Sequence, residues 1–189
     1  MTKKVTILAM FCALAYVAVL VGRIPLILFL KYEPKDVILT IGGFIFGPVS
    51  VIVMSFIVSF VEMITISTDG IIGLIMNVIA TVAFAVPAAY IYKKKRNMIS
   101  AAVGLLCGIF LMTVMMLLWN YFLAPIFMGY PREQVVKLLI PAFLPFNLIK
   151  GSINAAITLL LYRPVITVLR KSSLIPTAEE LSIAKNGIL

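Results

Sequence analysis

"FLPFNLIKGSINAAITLL", residues 143–160, is apolar enough to lie inside a lipid bilayer, yet a lysine stands in its middle. A helix needs about 20 mostly apolar residues to cross the hydrocarbon core, and the chain around this stretch supplies them. A charge at that depth is costly and usually faces the interior of a helix bundle or a water-filled cavity. The stretch therefore predicts a membrane-embedded bundle with a functional position at Lys150.

The composition of the whole chain also indicates a membrane protein. Of its 189 residues, 63% are hydrophobic, and the mean hydropathy is +1.17. The two cysteines, Cys12 and Cys107, lie in apolar runs and indicate neither a disulfide framework nor a thiolate metal site. The chain has no histidine, which excludes His-based triads, His proton relays and the usual zinc sites. The net charge of +9 does not indicate a nucleic-acid partner, because the basic residues cluster between apolar runs.

Six apolar runs predict an all-α fold, an integral membrane bundle of six transmembrane helices that forms one domain over residues 1–189. The predicted helices are 5–22, 37–46, 48–66, 71–92, 98–124 and 141–168. The second is short and glycine-rich and closes at Gly47–Pro48. The first has no convincing cleavage site, so we interpret it as a retained helix and not as a signal peptide. Residues 173–189 are predicted to form a polar cytoplasmic tail.

The distribution of lysine and arginine predicts the orientation of the bundle. With both termini inside, ten of these residues lie on the inner side and five on the outer side. The inner set is led by "KKKR" at 93–96, which we interpret as a topology anchor. This bias follows the positive-inside rule, and it predicts a multi-pass cell-membrane protein with cytoplasmic termini.

Polar side chains from four predicted helices lie at similar depth beneath the outer surface. At about 1.5 Å per helical residue, all of them are about 6–14 Å deep. They are Glu62, Asn77, Asn120 and Lys150. Lipid cannot satisfy such groups, so we expect them to meet in an outward-opening polar pocket.

The last predicted helix carries a polar stripe. Asn147, Lys150 and Asn154 are spaced i, i+3 and i+7, which places them on one face, and Gly151 beside them leaves room for an approaching group. Two alternatives stay open for Lys150, namely snorkelling to the outer interface and pairing with Glu62. For any single asparagine the alternative is a hydrogen bond between helices.

The segment "RIPLILFLKYEPKDV", residues 23–37, is mostly apolar, lies outside and is longer than a simple turn. Such a loop is unfavourable in water, so we expect it to fold over the bundle as a lid. Pro25 and Pro34 restrict its backbone, and Asp36 is expected to cap the second helix. The apolar and aromatic side chains of the loop could either stack on a flat ligand or pack into the core; they are Leu28, Phe29 and Tyr32.

These features together predict a small amphipathic ligand, with a flat apolar part and a hydroxylated or amide-rich part. At the inner end of the first helix, Ala9 and Ala13 are small residues at i and i+4. Such a pair lets another helix approach closely, either within the bundle or from a partner.

The chain resembles the substrate-binding S components of energy-coupling factor (ECF) vitamin transporters, most closely the riboflavin-specific members. The resemblance rests on six helices over essentially the whole chain, on Ala9 and Ala13 matching the alanine motif of the family, and on "KYEPKDVILTIGGFIFGP" at 31–48. It implies high-affinity capture of riboflavin from outside, with no other cofactor. It also implies that the first helix contacts a transmembrane coupling subunit, which works with two cytoplasmic ATPases, and that the S component reorients to release its cargo.

With riboflavin as the ligand, depth and spacing predict which residues surround it. The ribityl hydroxyls would pair with Asn147, Lys150 and Asn154, and the ring would lie beside the backbone near Thr40 and Gly42. Further polar groups around the ligand would be Glu62, Asn77 and Asn120. The sequence contains no G-x-x-x-x-G-K-[ST] phosphate loop, so the energy for transport has to come from a partner.

Three alternatives remain beside this interpretation. The first is an S component for a different vitamin, and the second is a membrane assembly subunit without a ligand. The third is a membrane-embedded enzyme with Glu62 or Asp69 as general acid or base. No nucleophile–base pair and no metal set accompanies these carboxylates in the sequence, so we expect the chain not to be an enzyme.

Overall fold

The computed structural model describes residues 2–27, 30–129 and 131–171, and most of these residues are helical. Its helices are α1 (Thr2–Gly22), α2 (Lys35–Phe46), α3 (Pro48–Thr65), α4 (Gly70–Lys95), α5 (Met98–Met128), α6 (Arg132–Leu138) and α7 (Leu144–Lys171), with a π-helical turn at Leu139–Phe143. Two short strands, β1 (Ile24–Ile27) and β2 (Leu30–Tyr32), pair antiparallel between α1 and α2. Leu28, Phe29 and the predicted tail at 173–189 lie outside the described residues.

Five of the described segments are long and apolar enough to cross a bilayer. They are Lys3–Gly22, Pro48–Thr65, Gly70–Lys95, Met98–Ile126 and Arg132–Val168. These segments confirm a helical membrane bundle. The remaining predicted crossing corresponds to α2, whose 12 residues span only about 18 Å, so a count of six crossings stays a prediction.

The two ends of the bundle differ in chemistry. At one end, the β-hairpin lies beside the turn between α3 and α4, since Lys31 Nζ is 3.5 Å from the Asp69 carboxylate. We call this the hairpin end. At the other end, the ring of Phe44 on α2 lies 4.5 Å from Tyr92 on α4 and 5.8 Å from Tyr162 on α7. This is the basic end, because α4 finishes there in the lysines before Arg96.

Helix α2 occupies only the half of the bundle nearer the basic end. Asp36, in its first turn, accepts hydrogen bonds from Thr81 on α4 and Asn154 on α7. These two residues lie about 15 Å along their helices from the hairpin end, at 1.5 Å per residue. The hairpin fills the other half, packing Leu30 against Phe143, Phe146 and neighbouring side chains. The predicted second crossing is therefore a half-length helix beneath a β-hairpin.

The predicted lid has more secondary structure than the sequence suggested. It forms the β1–β2 hairpin, whose strands of four and three residues are too short to give a clear alternating pattern. The β-hairpin is short enough to be stable only through tertiary packing. Its position over α2 agrees with the expectation of a loop folded onto the bundle.

Glycines set the closest helix contacts. On α5, a Cβ at Gly104 or Gly108 would collide with the backbone of α4 at Ala88 and Phe84 respectively. A Cβ at Gly151 on α7 would lie 3.1 Å from side-chain atoms of Ile109 and Met112 on α5, which is tighter than ordinary van der Waals contact. Gly151 does leave room for an approaching group, and that group is α5.

The last helical stretch begins earlier than predicted. The sequence placed its start at Pro141 or just after Pro145, whereas helical structure runs from Arg132 through the π-turn into α7. Proline lacks an N–H and disrupts a helix interior, which is why these prolines predict a helix boundary. A π-turn offers a wider local geometry, and here it contains Pro141 within a continuous helical path.

Candidate functional site

A cavity of about 460 Å³, part of it open to solvent, lies at the hairpin end among the β-hairpin, α4, α5 and α7. The 460 Å³ includes space open to solvent, and the enclosed part is about 30 Å³, so the polar lining makes this cavity a candidate ligand site, and its volume does not. Four of the predicted side chains share it, and further charged groups come from the hairpin and the turn after α3. The polar lining residues are Arg23, Lys31, Glu33, Asp69, Asn77, Asn120, Asn147 and Lys150.

A second, apolar compartment adjoins the first and measures about 300 Å³ when the space open to solvent is included. Its walls are Ile72, Met76, Trp119 and Leu123, and it shares Asp69, Met76 and Asn120 with the polar cavity. The two compartments place an aromatic and aliphatic surface next to a wall of amides and charges. This arrangement fits an amphipathic ligand, as the sequence predicted.

Asn120 stands between the two compartments with one side of its amide satisfied. Its Nδ2 donates to the Met116 carbonyl oxygen at 2.7 Å, which fixes the side chain on its own helix. Its Oδ1 is buried and accepts no hydrogen bond from the residues that the structure describes. Leaving a buried amide oxygen unpaired costs free energy, so this atom is a candidate acceptor for a ligand N–H or O–H. Asn147 is fixed in the same way, through a 2.7 Å bond from Nδ2 to the Phe143 carbonyl.

A buried ion-pair network lies behind the polar wall. Lys35 Nζ is 2.7 Å from carboxylate oxygens of both Glu33 and Glu62, and Arg23 is 3.0 Å from the other oxygen of Glu33. Asn77 extends the network by donating to Glu62 at 3.5 Å. Glu62 is itself fully buried and does not line the cavity. Buried charges need such pairing, because isolated charges are very costly in a low-dielectric interior.

The hairpin carboxylate Glu33 is held in its charged form. Burial opposes its ionisation, but the cations of Lys35, Lys150 and Arg23 outweigh burial and lower the pKa of Glu33 below the ordinary value. The stability that this group contributes is complete above the ordinary glutamate pKa and is lost as the pH falls through the lowered one.

The structure contradicts the two alternatives for Lys150 and the predicted capping role of Asp36. Lys150 pairs with Asp36, 3.5 Å from Nζ to Oδ2, and neither pairs with Glu62 nor reaches for solvent, since its side chain is 8% exposed. Asp36 does not cap α2, because it lies inside the first turn after Pro34, and that cap has no side-chain hydrogen bond. The ion-pair partner of Glu62 is Lys35, the residue that follows Pro34.

The remaining predicted residues lie outside the cavity lining. Asn154 is fully buried and donates to Asp36 at 3.2 Å. Thr40 donates to the Asp36 carbonyl at 2.5 Å, and Gly42 packs against Met54 and Phe11. Ala9 and Ala13 are exposed on α1, on the side facing away from the bundle.

Sequence reasoning missed Lys35 and placed Asp36 in a different role. One signal could have found both, since "KYEPKD" at 31–36 holds four charges immediately before an apolar helix and therefore needs counter-ions at the same depth. Arg23 and Lys31 enter the prediction only as outer-side charges and Glu33 does not enter it, yet all three line the cavity. Within the described ranges, no group of three or more His, Cys, Asp or Glu side chains could hold a metal ion.

Comparison with known proteins gives one family. A family model described as "ECF transporter, substrate-specific component" matches residues 3–162. The chain is 29% identical over 171 residues to "Riboflavin transporter FmnP" of Bacillus subtilis (strain 168), covering 85% of this chain and 90% of that protein. It is 27% identical over 177 residues to "Riboflavin transporter RibU" of Staphylococcus aureus (strain TCH60), covering 89% and 93%. A solved structure described as "Structure and mechanism of the S component of a bacterial ECF transporter" superposes with a TM-score of 0.77 at 28% identity, covering 89% of this chain and 98% of that one.

Proposed function

Since the chain belongs to the family of substrate-specific components of ECF transporters, we propose that it captures riboflavin from the outer side of the cell membrane. The observation that carries this proposal is the pair of adjoining compartments, one lined by amides and charges and one by Trp119 and aliphatic side chains. Riboflavin has a flat ring system and a polyhydroxylated chain, so its two parts match the two surfaces. Relatives named as riboflavin transporters support the choice of this vitamin over others.

In the proposed pose, the ring lies in the apolar compartment beside Trp119 and Met76, where aromatic stacking is available. The ribityl hydroxyls point into the polar cavity, within reach of Asn147, Lys150 and Asn77. Asn120 accepts from the ligand where the compartments meet. This pose differs from the predicted one near Thr40 and Gly42, because those residues do not line either compartment.

Release of the ligand is proposed to need partners. The exposed face of α1 around Ala9 and Ala13 would contact a transmembrane coupling subunit, and two cytoplasmic ATPases would supply the energy. Small residues suit such a face because they let a partner helix approach closely. The orientation proposed with this scheme has both termini in the cytoplasm and the hairpin end outside, in agreement with the positive-inside bias.

The chain purified in detergent tests the proposal directly. It should carry a yellow chromophore with a flavin absorption spectrum, and the stripped protein should bind added riboflavin. Lys150→Ala and Asn147→Ala should each weaken binding about tenfold or more, since each removes a hydrogen bond to the ligand. Leu148→Ala is the matched control on the same helix, because Leu148 is 42% exposed and faces away from the cavity. Absence of riboflavin binding in the wild type would overturn the proposal, and unchanged affinity in both variants would remove α7 from the site.

A further inference from the structure

Asp36 joins three helices at the inner edge of the cavity without lining it. Its Oδ1 accepts a hydrogen bond from Thr81 on α4 at 2.6 Å, and its Oδ2 accepts from Asn154 on α7 at 3.2 Å. The same Oδ2 lies 3.5 Å from Lys150 Nζ. The carboxylate is fully buried, and so is Asn154. The polar stripe of α7 is thus divided, with Asn147 and Lys150 facing the cavity and Asn154 holding Asp36.

Lys150 has this carboxylate as its ion-pair partner. In the described part of the chain, Asp36 is the carboxylate that lies within 4 Å of Lys150 Nζ. The other charged groups around the cavity are Glu33 on the hairpin, which Arg23 and Lys35 already pair, and Asp69, which lies beside Lys31 and Arg23. Removing one partner of a buried ion pair leaves the other charge uncompensated, which is strongly unfavourable.

The geometry of Asp36 also restricts where Lys150 can point. A carboxylate fixed by Thr81 and Asn154 is a stationary acceptor, and a lysine side chain has several rotatable bonds that would otherwise sample many positions. Preorganising a binding group reduces the entropy that the ligand must remove on binding. Asp36 reaches this position because α2 starts halfway along the bundle.

We propose that Asp36 is a positioning residue for ligand binding, which fixes the charged Lys150 side chain toward the cavity through the hydrogen bonds from Thr81 and Asn154. This inference rests on the proposed function, because it assumes that Lys150 contacts riboflavin. Asp36 itself does not touch the ligand.

A double-mutant cycle with riboflavin titration tests the inference. Asp36→Asn in the wild-type background should weaken riboflavin binding by about tenfold or more, because Lys150 loses its counter-ion and its acceptor. In a Lys150→Met background the same substitution should change affinity less than about twofold, since the residue through which Asp36 acts is gone. A purely structural role would instead weaken binding by similar factors in both backgrounds.

A matched pair of threonine variants keeps the test independent of whether Asp36→Asn folds well. Thr81→Val removes the donor to Asp36 and should weaken riboflavin binding severalfold. Thr158→Val removes a donor to the backbone carbonyl of Asn154 on α7, at an equally buried position, and should leave binding unchanged. If wild-type protein binds riboflavin and Thr81→Val, Thr158→Val and Asp36→Asn all match it, the inference is overturned. If wild-type protein does not bind riboflavin, the proposed function fails first.

Discussion

Lys35 shows how a charge can be tolerated in the interior of a membrane bundle. Its side chain is 1% exposed, and two carboxylates from different elements each lie 2.7 Å from Nζ. The pairing links the residues before α2 to α3. The attraction among Lys35, Glu33 and Glu62 offsets the cost of removing their charges from water. Loss of any one of them leaves a buried charge without its partner, which is unfavourable.

We predict that Lys35→Met lowers the free energy of unfolding by about 3–5 kcal/mol, because Glu33 and Glu62 would then be buried without their shared cation. Thermal unfolding in detergent measures the effect. Lys31→Met is the matched control, since Lys31 is 25% exposed and pairs with Asp69 at 3.5 Å. A partly exposed pair of this kind contributes less than a buried one, about 1 kcal/mol. Equal destabilisation by the two variants would contradict the assignment.

Asn120 differs from the fully paired Lys35, because its Oδ1 has no partner and this costs stability in the absence of ligand. We predict that Asn120→Leu weakens riboflavin binding by about tenfold, through loss of one hydrogen bond, while the ligand-free protein keeps or gains thermal stability. Titration and unfolding of the same preparation measure both quantities. Lower stability together with unchanged affinity would show that Asn120 is structural.

At the residue scale, the sequence predicted which side chains gather but not how they pair. Asn77, Asn120, Asn147 and Lys150 do line one cavity. Depth along a helix is a simple count, so residues of equal depth could be grouped from the sequence alone. Partners depend on which helix faces which, and residue spacing alone does not choose between Asp36 and Glu62 for Lys150.

At the scale of elements, the contact between α4 and α5 depends on two glycines. Gly104 and Gly108 let the two backbones meet without intervening side chains. A Gly→Ala change inside an exposed helix usually stabilises it by up to about 1 kcal/mol. Here the added methyl group would collide with the Phe84 carbonyl, so the sign should be reversed.

We predict that Gly108→Ala destabilises the chain by about 1–3 kcal/mol, the usual cost of forcing an extra group into a packed contact. Cys107→Ala on the same helix is the control, because Cys107 is exposed and its replacement should change stability by less than about 0.5 kcal/mol. Thermal unfolding of both variants in one detergent measures the difference. A stabilised Gly108→Ala protein would mean that α4 and α5 are not in close contact.

Helix positions were predicted well because apolar runs of membrane length give a strong signal. The starts of α3 at Pro48 and α5 at Met98 match the predicted boundaries. The short α2 was also predicted, at 37–46 against Lys35–Phe46 in the structure, whereas the hairpin could not be predicted, because its short strands depend on tertiary contacts. The hydrogen bond between Thr81 and Asp36 holds the start of α2 at the depth of Thr81. The apolar hairpin packs into the half of the bundle that α2 leaves unoccupied.

At the scale of the whole molecule, the charges of the paired groups around the cavity balance one another. Four cations and four anions are joined there across the hairpin and its neighbouring helices; they are Arg23, Lys31, Lys35, Lys150, Glu33, Asp36, Glu62 and Asp69. The remaining excess of positive charge includes the lysines at the basic end. The chain thus separates a neutral network around the cavity from a basic surface, and this separation gives the orientation a physical basis.

The predicted orientation can be tested with single cysteines. In a background with Cys12 and Cys107 replaced by alanine, Gln134→Cys reports on the hairpin end and Lys95→Cys on the basic end, since both positions are exposed in the structure. A membrane-impermeant maleimide added to intact cells should label the first and not the second, because positive charge is retained on the cytoplasmic side. Both should react after permeabilisation, which controls for thiol accessibility. Labelling of Lys95→Cys alone in intact cells would show that the bundle has the opposite orientation. Its cavity would then open to the cytoplasm and could not capture a vitamin from outside.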